Sequence, residues 1–249
     1  MLEIEKLSYA YPDGHIAIRE IDLKINDGES VALVGANGAG KSSLFKLIIG
    51  ISQIKEGSIK IGDLPVEKKT LKDVRKKVGM VFQNPDDQLF MTKVYDDIAF
   101  GPRNELLSDE EVEERVKNAL EMLGVTHLRD RMPHRLSGGE KRVIAIASVL
   151  SMNPQIILFD EPTSFLDPSA RRNVINTLEK LEMTKIIATH DLDMALDICD
   201  RVIILHHGSV FADGKTDDIL LNEELLLGCH LELPFCMQKR KDKKQKSDK

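Results

Sequence analysis

Residues 31–42 read Val31-Ala32-Leu33-Val34-Gly35-Ala36-Asn37-Gly38-Ala39-Gly40-Lys41-Ser42, an apolar run that leads into a glycine-rich loop of the form G-x-x-x-x-G-K-S. The apolar run predicts a buried strand, and the residues that begin with Ser43 predict a helix. Glycines permit positive φ, so successive N–H groups of the loop can turn inward and bind an anion at the helix N-terminus. The pattern predicts a nucleotide site over residues 35–43, in which Lys41 reaches the β- and γ-phosphates and the Ser42 hydroxyl joins the shell of a Mg²⁺ ion.

A pair of acidic residues, Asp160-Glu161, follows a second apolar run, Ile156-Ile157-Leu158-Phe159, and precedes a proline. The run is typical of a strand buried on both faces, and ligands bind at the carboxyl ends of parallel strands. We therefore expect Asp160 to hold Mg²⁺, directly or through water, and Glu161 to orient and deprotonate a water molecule. Taken alone, the same residues are equally typical of a surface turn.

A third motif, Leu136-Ser137-Gly138-Gly139-Glu140, lies between the first two. A phosphate loop, an LSGGE signature and an acidic strand end in this order resemble the ABC-type ATPases, and the resemblance covers essentially all of the chain except its basic C-terminal end. It implies an α/β fold, a P-loop NTPase of ABC type with a mixed sheet core, an N-terminal antiparallel β region and a helical signature subdomain. It also implies that ATP is hydrolysed to ADP and phosphate, and that Ser137, Gly138 and Gly139 cap the γ-phosphate held by a second subunit.

Four further residues take roles by the same resemblance. Gln83 would sense Mg²⁺ and the lytic water, His190 would contact the γ-phosphate, and Asp167 would lie in a loop that bridges two active sites. Tyr11 falls where the family places an aromatic residue that stacks on adenine, and an ordinary turn tyrosine is the alternative. The loop before Asp167 contains Phe165 where the family more commonly has alanine, which leaves the details of the contact between two subunits open.

The composition is that of a globular chain without a membrane segment. Its 249 residues are 42% apolar, enough for one large α/β domain or for a domain with a small subdomain. No apolar run approaches the roughly 18 residues that span a bilayer, and no leader precedes the first strand, so we expect a cytoplasmic protein. Cys199, Cys229 and Cys236 lack metal-type spacing and are expected to be reduced. The pair His206-His207 is expected to form a turn between strands rather than a metal site.

Charge is distributed unevenly along the chain. The formal net charge is −6, but residues 239–249 carry seven basic and two acidic groups, which leaves −11 on residues 1–238. This tail has nothing apolar to bury, so we expect it to be disordered. Contact with anionic lipid headgroups and a purely solubilising role are equally open for it. The acidic body and the lack of aromatic residues in the tail argue against nucleic-acid binding.

The order of predicted elements gives the domain organisation. We expect one ATPase domain over residues 1–238, followed by the basic tail. Within the domain we expect a β-rich start at residues 2–25, a nucleotide core around 28–84, a helical subdomain at about 93–151 and an accessory segment at about 216–238. In the subdomain, Ser108-Asp109-Glu110-Glu111 predicts a capping box for a helix that ends at Leu123-Gly124.

The stretch after the predicted Mg²⁺-sensing glutamine bears on what the ATPase drives. The sequences Gln83-Asn84-Pro85-Asp86-Asp87-Gln88-Leu89-Phe90 and Phe100-Gly101-Pro102-Arg103-Asn104 resemble the energy-coupling factor transporter ATPases of the cobalt and nickel import type, as do residues 225–234. The resemblance implies a second ABC ATPase subunit, in a homo- or heterodimer, and integral membrane subunits that insert a coupling helix here at the inner face of the cell membrane. The cargo, a transition-metal ion or a vitamin, would not touch this chain. The alternative for the stretch is a polar surface loop.

Other classes share these motifs. The ATPase of a conventional binding-protein-dependent importer would have the same catalytic residues and a different membrane partner. A soluble ABC machine acting on DNA or ribosomes is disfavoured, because the 96 positions between Lys41 and Ser137 leave no room for a long coiled-coil arm. A structural protein without hydrolysis is disfavoured by the joint presence of Lys41, Asp160, Glu161 and His190.

Overall fold

The computed structural model describes residues 1–238 and divides into two compact units. The first unit comprises Met1–Val74 together with the residues from Thr184 onward, and the second comprises Arg75–Met183. The basic tail expected at residues 239–249 lies outside the described residues. In chain order the elements are β1 (Leu2–Ala10), β2 (Ile16–Ile25), β3 (Ser30–Val34), α1 (Lys41–Ile48), β4 (Glu56–Ile61), β5 (Leu64–Pro65), α2 (Leu71–Lys77), β6 (Val78–Val81), α3 (Val94–Asn104), α4 (Asp109–Met122), α5 (Gly138–Leu150), β7 (Ile156–Asp160), α6 (Pro168–Glu179), β8 (Thr184–Thr189), α7 (Leu192–Ile198), β9 (Arg201–His206), β10 (Ser209–Lys215), α8 (Thr216–Leu220) and α9 (Glu223–Gly228).

The first unit contains two kinds of sheet. An antiparallel sheet in the order β2-β1-β4-β5 contains the β-rich start at residues 2–25 as β1 and β2, with Leu2 opposite Ile25, and adds β4 and β5 from the stretch assigned to the nucleotide core. In the other sheet β3 lies between β9 and β8 and is parallel to both, while β10 pairs antiparallel with β9. Every residue of β3 and β8 is buried, which explains the apolar runs Val31-Ala32-Leu33-Val34 in β3 and Ile186-Ile187-Ala188 in β8. This sheet carries the phosphate loop at the carboxyl end of β3.

The second unit combines a parallel strand pair with helices. Strands β6 and β7 pair in parallel, with Val78 opposite Ile156, and every residue of β7 is buried. Helices α3, α4 and α5 pack on one another. The capping box predicted at Ser108 is present, and the helix runs to Met122 as predicted within one residue. The acidic pair and the signature both belong to this unit.

Other observations concern the cysteines, the histidine pair and the helices. Cys199 and Cys229 are buried, free thiols, and Cys236 is exposed. His206 ends β9 and is followed by the turn into β10. In the described part of the chain, no three His, Cys, Asp or Glu side chains group in a way that could hold a metal ion. None of the helices within residues 1–238 has the length and apolar character required to cross a membrane.

Candidate active site

The phosphate loop joins β3 to α1 in the first unit. Gly40 is the N-cap of α1, at φ 109° and ψ 0°, and provides no side-chain cap to the helix. The first N–H groups of α1 are therefore disposed to bind an anion. A Cβ at Gly35 would lie 2.3 Å from the carbonyl oxygen of Leu205, and one at Gly40 would lie 2.5 Å from that of Ala17. These close approaches, together with the positive φ at both positions, require glycine.

Lys41 is the first residue of α1 and is 7% exposed. Its Nζ donates to the carbonyl oxygens of Gly35 at 2.6 Å and Ala36 at 3.3 Å. The ammonium group is thus held against the backbone of the loop that begins at Gly35. From this position it can offer its charge to a phosphate bound by the loop.

Tyr11 lies beside the start of α1. Its hydroxyl oxygen and Ser43 Oγ are 2.8 Å apart, and its ring stacks on His15 with centroids 6.3 Å apart. Tyr9 meets the same ring edge to face at 5.1 Å. Three neighbours therefore fix the Tyr11 ring next to the loop. Its stacking on adenine stays a prediction.

The turn between β9 and β10 contacts the phosphate loop, which sequence reasoning did not anticipate. The Gly208 N–H donates to the carbonyl oxygen of Ala39 at 3.2 Å. In the same turn the His206 ring centroid lies 4.1 Å from that of His207 and 5.7 Å from that of His230. Partial burial, and then the two neighbouring histidines, lower the pKa of His206. The signal for this turn in the sequence was Gly208, which directly follows the histidine pair. Its φ of 82° completes the turn.

His190 directly follows β8 and is exposed. The next residue, Asp191, accepts from the N–H of Met194 at 3.1 Å and so caps α7. The Asp191 N–H in turn donates to Thr189 Oγ1 at 2.9 Å. The strand and the capped helix thus fix the backbone on both sides of His190, at the strand end where the sequence predicted it.

The acidic pair ends β7 in the second unit. Asp160 is the last residue of the strand, and both Asp160 and Glu161 are 7% exposed. Glu161 has a left-handed φ of 47°, a conformation that costs a non-glycine residue roughly 1–2 kcal/mol. The Ser164 N–H donates to the Glu161 carbonyl oxygen at 3.2 Å, and Ser164 Oγ donates to the Glu161 carboxylate at 3.4 Å. Burial excludes an ordinary surface turn, and strain of this kind concentrates at functional sites.

Gln83 follows β6 and is exposed, and side chains of the second unit fix the backbone around it. Arg142 of α5 is 1% exposed and donates to the carbonyl oxygens of Phe82 at 2.6 Å and Gln83 at 2.5 Å. Gln88 accepts from the Phe82 N–H at 3.1 Å and donates to the carbonyl oxygen of Ala145 at 2.8 Å. Sequence reasoning missed both Arg142 and the role of Gln88.

The signature begins α5. Ser137 is the N-cap: its Oγ accepts from the Glu140 N–H at 3.3 Å, and its own N–H donates to the Glu140 carboxylate at 2.7 Å. Hydrogen bonds from Ser137 lower the pKa of Glu140. A Cβ at Gly139 would lie 2.8 Å from that of Ala170, so this glycine allows α5 to approach α6. The signature is therefore a capped helix N-terminus packed against a second helix.

Asp167 is the N-cap of α6 and lies close to the signature. Its Oδ1 accepts from the N–H groups of Ser169 at 2.9 Å and Ala170 at 3.0 Å. Phe165, two residues earlier, is 93% exposed with a φ of 64°. Ser137 and Asp167 both line one open cavity of about 500 Å³. The structure thus brings together two predicted site residues that lie 30 positions apart in sequence.

An exposed aromatic pair lies in the second unit, after the segment of residues 82–88 that follows β6 and is called the Gln83 loop here. Phe90 and Phe100 are 62% and 40% exposed and meet edge to face with centroids 5.0 Å apart. Asp97 of α3 is 4% exposed, and its Oδ1 accepts from the N–H groups of Phe90 at 2.9 Å and Met91 at 3.0 Å. Burial raises the pKa of Asp97. The pair is therefore apolar, exposed and anchored, as is typical of a surface that contacts another protein.

The chemistry of the predicted ligand atoms matches Mg²⁺ and nucleotide phosphate. Ser42 lies in the first unit, and Gln83 and Asp160 lie in the second. Their hydroxyl, amide and carboxylate groups supply oxygen atoms, which are the donors that Mg²⁺ prefers. Backbone N–H groups at a helix N-terminus and a lysine ammonium suit phosphate oxygens.

Comparison with known proteins places the chain in a family. Residues 18–164 match the model of the ABC transporter family. The chain is 55% identical over 238 residues to an ABC transporter ATP-binding protein of Geobacter sulfurreducens, with 96% of each protein covered. It is 44% identical over 239 residues to the energy-coupling factor transporter ATP-binding protein EcfA of Methanothermobacter thermautotrophicus, with 94% of this chain and 77% of that protein covered.

Solved structures give the same result. CbiO1 from Clostridium perfringens, part of the ABC transporter complex CbiONQ, has a TM-score of 0.82 at 39% identity and covers 91% of this chain and 93% of its own. The ATP-binding cassette MJ0796 in a post-hydrolysis state, bound to ADP and Pi, has a TM-score of 0.76 at 28% identity. The match covers 87% of this chain and 99% of the MJ0796 chain. The predicted mixed α/β fold is confirmed. The chain belongs to the ABC transporter ATP-binding family and is an ABC ATPase, the ATP-hydrolysing subunit of a transporter.

Proposed function

We propose that this chain is the ATPase of an energy-coupling factor importer, and that it works as a dimer on the inner face of the cell membrane. The observation that carries the proposal is the anchored Phe90–Phe100 pair beside the Gln83 loop, because a fixed apolar surface suits the apolar side of a helix from a membrane subunit. The relative EcfA is named for such a transporter, and CbiO1 is part of the CbiONQ complex. The cargo, a transition-metal ion or a vitamin, would be bound by the membrane subunits.

In this proposal the first unit binds the nucleotide. The N–H groups of the loop and Lys41 hold the β- and γ-phosphates, His190 contacts the γ-phosphate, and Tyr11 stacks on the base. Lys41 already lies against the loop backbone at 2.6 Å from the Gly35 carbonyl oxygen, so it needs little reorganisation to meet a phosphate. Stacking on Tyr11 tolerates other purines, so selectivity for adenine is weak.

The second unit supplies the groups for hydrolysis. Glu161, buried and held in a left-handed conformation, orients the attacking water and accepts its proton. Asp160 and Gln83, with Ser42 of the first unit, are the oxygen ligands proposed for Mg²⁺, which when bound neutralises charge on the phosphates. The low exposure of Asp160 and Glu161 strengthens the electrostatic effect of both carboxylates.

Ser137 and Asp167 act on the nucleotide of a second subunit. They line one cavity, and the start of α5 presents N–H groups and a partial positive charge that favour an anion. A γ-phosphate bound in the loop of one subunit would then be capped by the signature of the other. ATP binding joins the two subunits, and hydrolysis removes the bridging phosphoryl group and lets them separate.

The variant Glu161→Gln tests the proposed chemistry. It preserves shape and removes the base, so we expect ATP binding to be retained and turnover to fall by about 10²–10⁴-fold. The same variant should form an ATP-dependent dimer on size-exclusion chromatography, because the bridging γ-phosphate persists. Undiminished hydrolysis would remove Glu161 from this role.

Affinity capture from detergent-solubilised membranes of the chain's own cells tests the importer. With Glu161→Gln as bait we expect one helical scaffold protein and a small integral substrate-binding protein, whose identity would point to the cargo. Adding Phe90→Asp should abolish the capture, whereas Phe211→Asp, at an aromatic residue of similar exposure (47%) in the first unit, should not. Recovery of paired permeases with an extracellular binding protein would indicate a conventional importer, and recovery of ribosomal or DNA-bound proteins alone would overturn the proposal.

A further inference from the structure

Arg142 is a charged residue in an unusual place. Its side chain is 1% exposed, and its two terminal nitrogens donate to backbone carbonyl oxygens of Phe82 and Gln83. Among the described residues its Nε has no hydrogen-bond partner. Burial lowers the pKa of Arg142, and the negative charge of Asp160 opposes that shift. Burial removes water from the charged guanidinium, and its partners here are neutral carbonyl oxygens with one N–H left unpaired. An apolar side chain of similar volume would avoid this desolvation cost, so Arg142 is not an efficient way to stabilise the fold.

Gln88 binds the backbone on the other side of Phe82. Its amide oxygen accepts from the Phe82 N–H, while its amide nitrogen donates to the carbonyl oxygen of Ala145 at 2.8 Å and to Ser148 Oγ at 3.0 Å. The N–H and the carbonyl oxygen of Phe82 are therefore both taken by side chains that belong to α5 or are anchored on it. Phe82 is thus held through the peptide groups on both of its sides, which leaves its backbone little freedom to rotate.

A third attachment lies at the edge of the same loop. Lys141 Nζ lies 2.6 Å from the Asp86 carboxylate. Asp86 is largely exposed, so this ion pair is the weakest of the three contacts. Lys141 and Arg142 lie in α5, which begins directly after Ser137, so the three contacts tie the Gln83 loop to the helix that carries the signature.

We infer that Gln88 and Arg142 are positioning residues, whose hydrogen bonds hold the Gln83 loop in a fixed position against α5. Gln83 acts at one nucleotide and Ser137 at the other, so the same hydrogen bonds position both residues. The inference rests on the roles proposed above for Gln83 and Ser137. Neither Gln88 nor Arg142 needs to touch the nucleotide. Each acts through the backbone of Phe82 and Gln83, and loosening either contact should misplace the Gln83 amide relative to the proposed Mg²⁺ ligands.

Steady-state ATPase kinetics of the full chain test the inference with the variants Arg142→Met, Arg142→Lys and Gln88→Ala. For Arg142→Met we expect a melting temperature equal to or above that of the unmodified chain, at least a tenfold loss of kcat and a raised Mg²⁺ concentration for half-maximal activity. The affinity for ATP should be unchanged. Arg142→Lys keeps the charge but has one donor nitrogen where arginine uses two, and should recover part of kcat. Gln88→Ala should show the same pattern of kinetic changes and provides the test if Arg142→Met does not fold.

Arg129 provides a matched control. It is an arginine of the same unit that pairs with Glu113 at 2.6 Å and lies 4.6 Å from the centroid of the Tyr95 ring, and neither partner belongs to the Gln83 loop. Arg129→Met should lower the melting temperature and leave kcat and the Mg²⁺ requirement within twofold. If both Arg142→Met and Gln88→Ala fold and keep kcat and the Mg²⁺ requirement of the unmodified chain, the inference is wrong.

Gln83→Ala separates this inference from the proposed function. If Gln88 and Arg142 act through Gln83, combining Gln83→Ala with Arg142→Met should give no larger loss than Gln83→Ala alone. Fully additive losses would overturn the inference. If Gln83→Ala by itself leaves kcat and the Mg²⁺ requirement unchanged, the role proposed for Gln83 is wrong. The positioning role inferred for Gln88 and Arg142 then has no functional basis.

Discussion

The capping boxes at Ser137 and Ser108 allow the catalytic use of Ser137 to be separated from its structural use. Ser137 caps α5 and Ser108 caps α4 in the same way, since each Oγ accepts from the N–H of a glutamate three residues later at 3.3 Å. Each serine N–H donates back to that glutamate, Glu140 at 2.7 Å and Glu111 at 2.9 Å. Only Ser137 belongs to the signature. Ser108→Ala is thus a geometric control for Ser137→Ala.

The stability cost of each substitution follows from the hydrogen bond that it removes. Loss of an N-cap side chain costs about 0.5–2 kcal/mol, and a 3.3 Å contact at an exposed position belongs to the lower half of that range. We expect about 0.5–1 kcal/mol for each variant, which lowers the melting temperature of a chain of this size by about 1–4 °C. The two shifts should agree closely, because the lost contacts are alike.

The activity cost should differ between the two variants. A Ser137 hydroxyl that donates to the γ-phosphate of a partner acts like one donor of an oxyanion site, whose removal costs about 10²–10³-fold in kcat. Ser108→Ala should keep kcat within twofold. The assay is phosphate release at saturating Mg·ATP, beside thermal unfolding without nucleotide. Equal loss of activity in both variants, or no loss in either, would refute a direct contact between Ser137 and the nucleotide.

Three further predictions concern other parts of the fold. Gly40→Ala should abolish nucleotide binding and cost at least about 2 kcal/mol, since its Cβ would meet a backbone oxygen at 2.5 Å, whereas Gly38→Ala, with open space around it, should cost only about 1 kcal/mol for its positive φ; isothermal titration with ATP and thermal unfolding check both. Phe165→Gly should raise stability by about 0.5 kcal/mol, because it relieves a left-handed φ at a 93% exposed side chain, and should weaken ATP-dependent dimerisation if that side chain contacts a second copy. Because the pKa of His206 is lowered below its ordinary 6.5, the unfolded chain binds more protons there, and stability should fall as the pH drops below about 6.5; His206→Gln should reduce that slope in melting temperatures measured from pH 7 to pH 5.

The motifs could be predicted from sequence because their geometry is local. The phosphate loop depends on a strand, glycines and a helix start within about a dozen residues, and the capping box at Ser108 depends on a single helical turn. The strands that end at Asp160 and before His190 could be predicted for a related reason. They are buried on both faces, so each contains an apolar run without alternation, Ile156-Ile157-Leu158-Phe159 in β7 and Ile186-Ile187-Ala188 in β8.

Arg142 and the Gly208 turn could not be predicted, because their partners are distant backbone atoms. In sequence Arg142 stands beside Glu140 and Lys141 on a helix, where a charged residue is normally exposed. It is buried because carbonyl oxygens about 60 positions earlier accept its hydrogen bonds. Every residue has a carbonyl oxygen, so such a partner leaves no mark in the sequence. The contact of Gly208 with the phosphate loop is hidden for the same reason.

Stability and activity depend on different residues of this chain. Strands β3, β7 and β8 are buried at every position and contain no residue with positive φ. Costs of another kind occur near the motifs, where Glu161 and Phe165 adopt left-handed conformations and Arg142 and Lys41 are buried cations. Such costs persist only where the surroundings impose them, and a fold selected for stability alone would lose them. Variants that relax these positions should therefore gain stability while they lose turnover, as expected for Arg142→Met. If both quantities fall together in those variants, the strained and buried groups are ordinary parts of the core, and the separation argued here does not hold.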